Sequence, residues 1–293
     1  MAERQVLFYA CEDIEKRPPF SGTAAVTGLA GLEDSQWRMP DKGLASDLAV
    51  LVDQEGTETK PSHLRFLRIR EDAPFKLSAA RQLAPVEVAE NEAIAEFTWV
   101  VLWPDHYLAA VNARDAPTHK KIGAYFNYTS GEQTHIVSLL SPDVLKRLKE
   151  MRKNGKLRSL QVSVRMSELE KIAAAKTLPG FGSLIAAGKE ADALVLDIRL
   201  GIGRGHRESR LNDATAQSAE ELAGFVEVLE SMHVSGYDKD GNKQDINLKQ
   251  ERIGGPIQIE ASTSNAQVYA AIERTRKEVE KDIGSLENAA RGS

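Results

Sequence analysis

The residues best suited to chemistry in this sequence lie in one basic segment, residues 141–166. The segment has eight Lys and Arg residues against two acidic ones, a net charge of +6, whereas the formal net charge of the chain is −5. Ammonium and guanidinium groups bind phosphate oxygens through charge-assisted hydrogen bonds. A concentrated positive segment in an acidic chain therefore predicts a binding site for a polyanion such as DNA. The predicted phosphate contacts in this segment are Lys146, Arg147, Lys149, Arg152, Lys153, Lys156 and Arg158.

A second basic stretch follows a predicted strand and begins GIGRGHR at residues 201–207. Dinucleotide-binding loops have the pattern G-x-G-x-x-G and open a helix. Here the third glycine comes one position early and no helix is predicted before about residue 219, so a nucleotide site is not favoured. We instead predict a flexible basic loop in which Arg204, Arg207 and Arg210 add phosphate contacts. A solvated loop, and a solvated helix face in the first segment, would carry the same charges and remain the alternatives.

Four aspartates offer a different chemistry, the binding of divalent metal ions for DNA cleavage. Asp47, Asp53, Asp192 and Asp197 lie on or beside predicted strands, which allows a carboxylate cluster that their spacing does not itself require. A metal-dependent nuclease is therefore the first alternative function. The second is a protein-interaction sensor without DNA affinity, whose basic helix binds an acidic partner.

None of the other candidate ligands or nucleophiles indicates a cofactor, a metal site or a catalytic residue, so we predict none of the three. Residues 238–242 alternate in the manner of a calcium loop, but Lys249 stands where the bidentate glutamate is required. The six histidines form no H-x-x-x-H pair. Cys11 is the single cysteine, which excludes an internal disulfide and suits a reducing cytoplasm. We also expect no signal peptide and no membrane span.

The basic segment is predicted to form a helix, a tight turn and a strand. Ser141 suits the N-cap position of a helix. Val144, Leu148 and Met151 follow helical spacing and form the predicted buried stripe. Alternation of apolar and polar residues over 160–166 then predicts a half-buried strand. Most of the basic side chains fall outside the buried stripe.

The rest of the chain predicts the α+β class, with mixed or antiparallel sheets and several helices. Residues 97–103 and 106–112 flank a turn and predict a hairpin, and Asp240-Gly241 predicts the turn of another. Residues 12–43 are rich in turn-forming residues and predict a long irregular connection. Residues 219–231 predict a helix.

We predict two lobes, residues 1–166, which end in the basic helix and strand, and residues 167–293. The second lobe closes with a long helix from Asn265, along which apolar residues recur at three- and four-residue steps. That face must pack on the sheet of its own chain or on a partner subunit, and we predict a homodimer. The sequences Gly-Gly-Pro at 254–256 and Ser-Thr-Ser at 262–264 predict a hinge that lets the helix swing. The predicted dimer interface is Val268, Ile272, Val279, Ile283 and Leu286.

The order of elements resembles that of the RexA family of lambdoid phages. The resemblance begins with the FYA sequence at residues 8–10 and continues with the hairpin around Pro104 and the helix from Pro117. It also includes the GFGSLI sequence at residues 180–185 and the Lys239–Lys243 hairpin before the closing helix. It covers roughly residue 97 to the end, together with the first strand.

The resemblance implies a function in phage exclusion. RexA-like proteins are the cytoplasmic half of a two-gene system that aborts superinfection together with a membrane partner. Proteins of this family look like dimers, and they look like DNA-binding proteins without strong sequence preference. Their fold is similar to that of RdgC, a ring-forming DNA-binding regulator of recombination. This chain is thereby expected to be a cytoplasmic DNA-binding homodimer with a membrane partner similar to RexB. The family supplies no catalytic residue, and the DNA contacts named above come from charge alone.

Overall fold

The computed structural model divides the chain into two compact units. Unit 1 consists of Met1–Val137 and Gly254–Glu280, and unit 2 of Ser138–Ile253 and Lys281–Ser293. The described residues are 2–13, 22–30, 38–40, 46–70, 75–77, 83–85, 94–104, 106–111, 116–130, 134–153, 156–165, 190, 194–202, 209–223, 229–260 and 262–291.

Unit 1 is built on an eight-stranded sheet in the order β14-β1-β8-β7-β4-β3-β2, with β9 beside β1. The pairings along the path from β14 to β2 are antiparallel. A separate short hairpin joins β5 and β6. The strands are β1 Ala2–Asp13, β2 Met39–Pro40, β3 Ser46–Gln54, β4 Ser62–Arg70, β5 Phe75–Leu77, β6 Leu83–Pro85, β7 Ile94–Leu102, β8 Tyr107–Val111, β9 Thr134–Ser138 and β14 Gly254–Ile259.

One face of this sheet carries the core of unit 1. Helices α1 (Gly22–Ala30) and α2 (His119–Ser130) pack against it through apolar side chains of both helices. Phe66 on β4 meets the rings of Tyr125 and Phe126 edge-on, at centroid distances of 5.6 and 5.4 Å. Edge-to-face packing of this kind is favoured by the quadrupoles of aromatic rings.

Helix α5 (Asn265–Arg291) is held at its N-terminal half by polar contacts to the opposite face of the unit 1 sheet. Arg65 on β4 forms a bidentate ion pair with Asp53 on β3, with Nε–Oδ2 and Nη2–Oδ1 distances of 2.8 and 2.7 Å. The Tyr269 hydroxyl donates to Asp53 Oδ2 at 2.6 Å. His63 stacks on the Tyr269 ring, and its Nε2 lies 2.7 Å from Glu273 Oε1. We call these five side chains the α5 network.

The electrostatics of the α5 network favour an ionised Asp53. Partial burial opposes ionisation, but hydrogen bonds from Arg65 and Tyr269 outweigh it and hold the pKa of Asp53 below its usual value. Burial, together with the bond to Asp53, raises the pKa of Tyr269. The tyrosine therefore stays a hydrogen-bond donor to a charged acceptor over the ordinary pH range.

Helix α5 begins with a reciprocal cap. Ser264 Oγ accepts the backbone N–H of Gln267 at 3.3 Å, and Gln267 Oε1 accepts the backbone N–H of Ser264 at 2.8 Å. This is a capping box, which satisfies two backbone donors at the helix start. Beside it, Trp99 Nε1 donates to Asn265 Oδ1 at 3.0 Å, which links β7 to the start of the helix.

Unit 2 is built on a four-stranded antiparallel sheet in the order β11-β10-β12-β13. Its helices are α3 (Pro142–Lys153) and α4 (Asp213–Ala223). Both contribute buried side chains to one core with the sheet, among them Val144, Leu148 and Leu222. The strands are β10 Leu157–Arg165, β11 Val195–Gly201, β12 Leu229–Tyr237 and β13 Lys243–Asn247.

The structure confirms the α+β class and both predicted hairpins. Strands β7 and β8 pair across the turn at Pro104, and β12 and β13 pair across the turn that contains Gly241. Gly241 has a φ of 86°, a backbone conformation that favours glycine. None of the helices among the described residues has both the length and the hydropathy that crossing a membrane requires.

The units are composed differently from the predicted lobes, which met at residue 166. Strand β10 pairs with both β11 and β12, so a boundary at residue 166 would separate β10 from the two strands it pairs with. Strand β14 pairs with β1, which returns Gly254–Glu280 to unit 1.

Two local predictions are wrong. The expected irregular connection at residues 12–43 contains α1 and β2. The expected helix at residues 219–231 is instead α4, which ends at Ala223, and the start of β12 at Leu229. Helical apolar spacing continued past the true end of α4, but pairing with β10 and β13 makes the later residues a strand.

The apolar stripe of the closing helix packs within the single chain, and the predicted partner surface there is wrong for most of its members. Val268, Ile272 and Ile283 are only 1%, 0% and 2% exposed in the single chain, so their own chain already buries them. Val279 is half-buried, and the side chain of Leu286 lies outside the described residues.

The part of the predicted hinge at residues 254–256 is also wrong, because these residues are part of β14 and pair with Gln5, Val6 and Leu7. The other part, residues 262–264, lies between β14 and α5. A Cβ placed on Gly254 would collide with the Val6 carbonyl oxygen. The glycine is therefore required by the close approach of two strands and does not mark a flexible joint.

Candidate nucleic-acid interface

Helix α3 begins where its sequence predicts. The Ser141 carbonyl accepts the backbone N–H groups of Val144 and Leu145 at 3.0 and 3.4 Å, as expected of an N-cap residue. The buried stripe of Val144, Leu148 and Met151 faces the unit 2 core. With about 100° of rotation per residue, the predicted basic positions are distributed over the remaining circumference of the helix.

Two of the predicted phosphate contacts are engaged in ion pairs on the flanks of α3. Arg147 lies 3.0 Å from Asp143 and 2.9 Å from Glu251. Arg152 lies 3.1 Å from Glu220 and 3.5 Å from Asp213, both on α4. Their positive charge is largely compensated, so these arginines stabilise unit 2 and offer little to a phosphate.

Lys156 is also engaged within unit 2. Its Nζ donates to the backbone carbonyls of Asp238 and Lys239 at 2.8 and 3.0 Å. These carbonyls belong to the turn between β12 and β13, so the lysine fastens that hairpin to the start of β10. The Arg158 side chain, two residues further on, is half-buried.

The same turn explains the acidic residues that suggested a calcium loop. Asp238 accepts the backbone N–H groups of Asp240 and Asn242 at 2.9 and 2.8 Å. It also accepts the side-chain amides of Asn242 and Gln244. These hydrogen bonds hold the pKa of Asp238 below its usual value despite a smaller opposing effect of burial. A carboxylate surrounded by N–H donors is a turn stabiliser and is unsuited to calcium.

Three lysines on α3 are exposed and make no ion pair with any other described residue. Lys146, Lys149 and Lys153 are separated by three and four positions, which places them on one face within about 60° of one another. That face lies opposite the buried stripe. We call these three residues the lysine face, and Glu150, which is half-buried, lies beside it.

The second predicted basic stretch returns to the same end of unit 2. The Arg158 carbonyl accepts the backbone N–H of Ile202 at 3.1 Å, and the Leu157 carbonyl accepts that of Leu211 at 3.0 Å. Arg210 is exposed and directly precedes Leu211, whose partner Leu157 is four residues after the end of α3. Arg204 and Arg207 lie outside the described residues.

The carboxylates considered for a nuclease are divided between the two units. Asp47 and Asp53 lie on β3 in unit 1, and Asp53 is held by Arg65 and Tyr269. Asp197 lies on β11 in unit 2, and Asp192 falls outside the described residues. Across the described ranges, no group of three or more His, Cys, Asp or Glu residues is arranged to hold a metal ion.

Comparisons of the sequence with known proteins provide no relative from which a function can be transferred. No family model matches the chain, and no match is found among curated proteins. The function must therefore be argued from the geometry of the two units.

Proposed function

We propose that unit 2 binds DNA without strong sequence preference, through phosphate contacts made by the lysine face of α3. The observation that carries the proposal is the segregation of charge on this helix. Arg147 and Arg152 are paired on the flanks, whereas Lys146, Lys149 and Lys153 point away from the core with no ion-pair partner among the described residues. Exposed lysines in a row are suited to a regularly spaced array of negative charges.

The dimensions of the lysine face suit a DNA backbone. Seven residues separate Lys146 from Lys153, so the face is about 10.5 Å long. Phosphates on one DNA strand advance by about 3.4 Å along the helix axis, so this length spans about three of them. Arg210, at the same end of unit 2, is a further cation available to extend the contact.

Lysine contacts to phosphate account for the absence of sequence preference in the proposal. An ammonium group is a point charge on a flexible chain, and it contacts phosphate oxygens that are the same at every base pair. Affinity then comes from release of counterions and depends steeply on salt.

The resemblance to the RexA family supports a biological setting for this binding. In that setting the chain acts as the DNA-binding sensor or activator of a phage-exclusion system, together with a membrane partner similar to RexB. This setting rests on the order of elements in the sequence, whereas the DNA contacts rest on the geometry of α3.

The test is a salt titration of the binding of random-sequence duplex DNA, measured by fluorescence anisotropy. Three phosphate contacts give a slope of log K against log salt of about −2.7, so affinity should fall about 40-fold between about 50 and 200 mM salt. The variant Lys149→Gln/Lys153→Gln should lower the slope to about −0.9. The variant Lys60→Gln/Lys277→Gln removes two exposed lysines of unit 1 with the same change in net charge and should bind like the wild type.

Each other result has a definite meaning. Equal binding by the two double variants would move the site away from the lysine face. No binding by the wild type at low salt would overturn the DNA proposal and favour an acidic protein partner. Cleavage of the duplex on addition of Mg²⁺ would favour the nuclease alternative.

A further inference from the structure

Strand β11 is the edge of the unit 2 sheet, with β10 on one side and no described strand on the other. It exposes several apolar side chains. Val195 and Leu200 retain 44% and 38% of their exposure, and Leu194, just before the strand, retains 85%. Natural proteins ordinarily protect long apolar edges, because the unpaired N–H and C=O groups there are a template for another strand.

We propose that β11 pairs antiparallel with β11 of a second copy of this chain, with Ile198 at the two-fold axis. The observation that identifies the partner is the charge pattern of the strand. Asp197 and Arg199 are exposed, stand on either side of Ile198, and project from the same face of the sheet. Their neighbours on β10, Ser163 and Gln161, are uncharged, so neither charge is compensated across that pair of strands.

Centring the pairing on Ile198 makes the strand complementary to itself. Each Asp197 then lies opposite Arg199 of the other copy, which gives two symmetric ion pairs. Opposite charges directly across an antiparallel pair stabilise it, whereas like charges destabilise it. A two-fold contact of this kind uses the same patch on both copies and closes on itself.

The same charges disfavour the neighbouring registers. A pairing centred on residue 197 would set aspartate against aspartate, and one centred on residue 199 would set arginine against arginine. A pairing centred between two residues would oppose side chains from different faces, which an antiparallel ladder does not allow. The register centred on Ile198 is therefore the one that the sequence of the strand selects.

The other face of β11 gains an apolar contact in this register. Leu196 lies opposite Leu200 of the second copy, on the face where Leu196 and Ile198 already pack against the unit 2 core. Pairing covers the exposed Leu200 and joins the two four-stranded sheets into one continuous sheet. The inference replaces the interface predicted on the closing helix, and it does not rest on the proposal of DNA binding.

Charge reversal on this strand provides the test, with sedimentation velocity as the measurement. The wild type should be a dimer. Asp197→Arg alone sets arginine against arginine in the symmetric dimer, and Arg199→Asp alone sets aspartate against aspartate. Each should weaken dimerisation about tenfold or more. Both positions are exposed, so the far-ultraviolet circular dichroism of the variants should match that of the wild type.

Mixing the two variants separates the specific contact from general damage. A chain with arginine at both positions and a chain with aspartate at both positions are complementary at every charged pair, so the mixture should form a heterodimer. The double exchange, Asp197→Arg/Arg199→Asp, should restore the homodimer. A monomeric wild type, or single variants that dimerise as tightly as the wild type, would overturn the proposal. Failure of both the mixture and the double exchange to dimerise would also overturn it.

Discussion

Replacing Asp53 by Asn should destabilise unit 1 by removing the central acceptor of the α5 network. The carboxylate receives two hydrogen bonds from Arg65 and one from Tyr269, and the Asp53 and Arg65 side chains are only 22% and 25% exposed. An exposed ion pair is worth under about 1 kcal/mol, whereas loss of one partner from a buried pair costs about 3–5 kcal/mol. At this intermediate burial we expect the free energy of unfolding to fall by about 2 kcal/mol, which lowers the melting temperature by about 4–8 °C.

Tryptophan fluorescence is the appropriate assay, because the chain has three tryptophans and all of them lie within Met1–Val137. Thermal or denaturant unfolding followed by their emission therefore reports on unit 1. The matched control is Asp47→Asn on the same strand, since Asp47 forms no ion pair with a described residue. That variant should melt within about 1 °C of the wild type, as surface substitutions usually do.

The pH dependence of the difference gives a second check. The pKa of Asp53 is lower in the folded protein than its usual value, so its contribution is complete above about pH 5 and is lost as pH falls through the folded pKa. The stability gap between wild type and Asp53→Asn should therefore shrink on acidification below about pH 4. A gap that stays constant into that range, or an Asp53→Asn variant as stable as Asp47→Asn, would refute the role given to the network.

Three further substitutions test other parts of the structure. Gly254→Ala should destabilise unit 1 by about 2 kcal/mol or more, because the new Cβ meets the Val6 carbonyl oxygen. Gly284→Ala is the control, since a Cβ there has open space around it, and this variant should be neutral or stabilising. Both variants are measured by thermal melting. Arg152→Gln should lower the melting temperature of unit 2 by releasing Glu220, but leave the salt slope of DNA binding unchanged. A shallower slope in that variant would show that Arg152 contacts phosphate.

Much of the fold follows from local sequence patterns, and the failures have identifiable causes. Helix α3 was predictable because its cap, its apolar stripe and its polar remainder agree with one another. The start of β12 at Leu229 was not predictable, because a short apolar run fits either a helix or a strand, and only pairing with β10 decides between the two. Five of the nine residues of helix α1 at Gly22–Ala30 are Gly, Thr or Val, which are weaker helix formers, and the helix lies in a turn-rich region.

The candidate site was predictable in its location and less so in its members. Charge counting finds the basic segment but cannot tell an exposed cation from one that is already paired. Arg147 and Arg152 reach Glu251 and Glu220, which are about 70 to 100 positions away in the sequence. The apolar edge at β11 was missed for a related reason, since an apolar strand suggests a central, buried position and the order of strands shows otherwise.

The most direct test of the DNA-binding proposal is an acetylation footprint of the lysines, read by mass spectrometry with and without saturating duplex DNA. Lys146, Lys149 and Lys153 should be modified several-fold more slowly when DNA is bound. Lys60 and Lys277, exposed in unit 1 of the same sample, should react at unchanged rates. If DNA binds, as shown by anisotropy, and the three lysines of α3 are modified as fast as without it, the lysine face is not the interface.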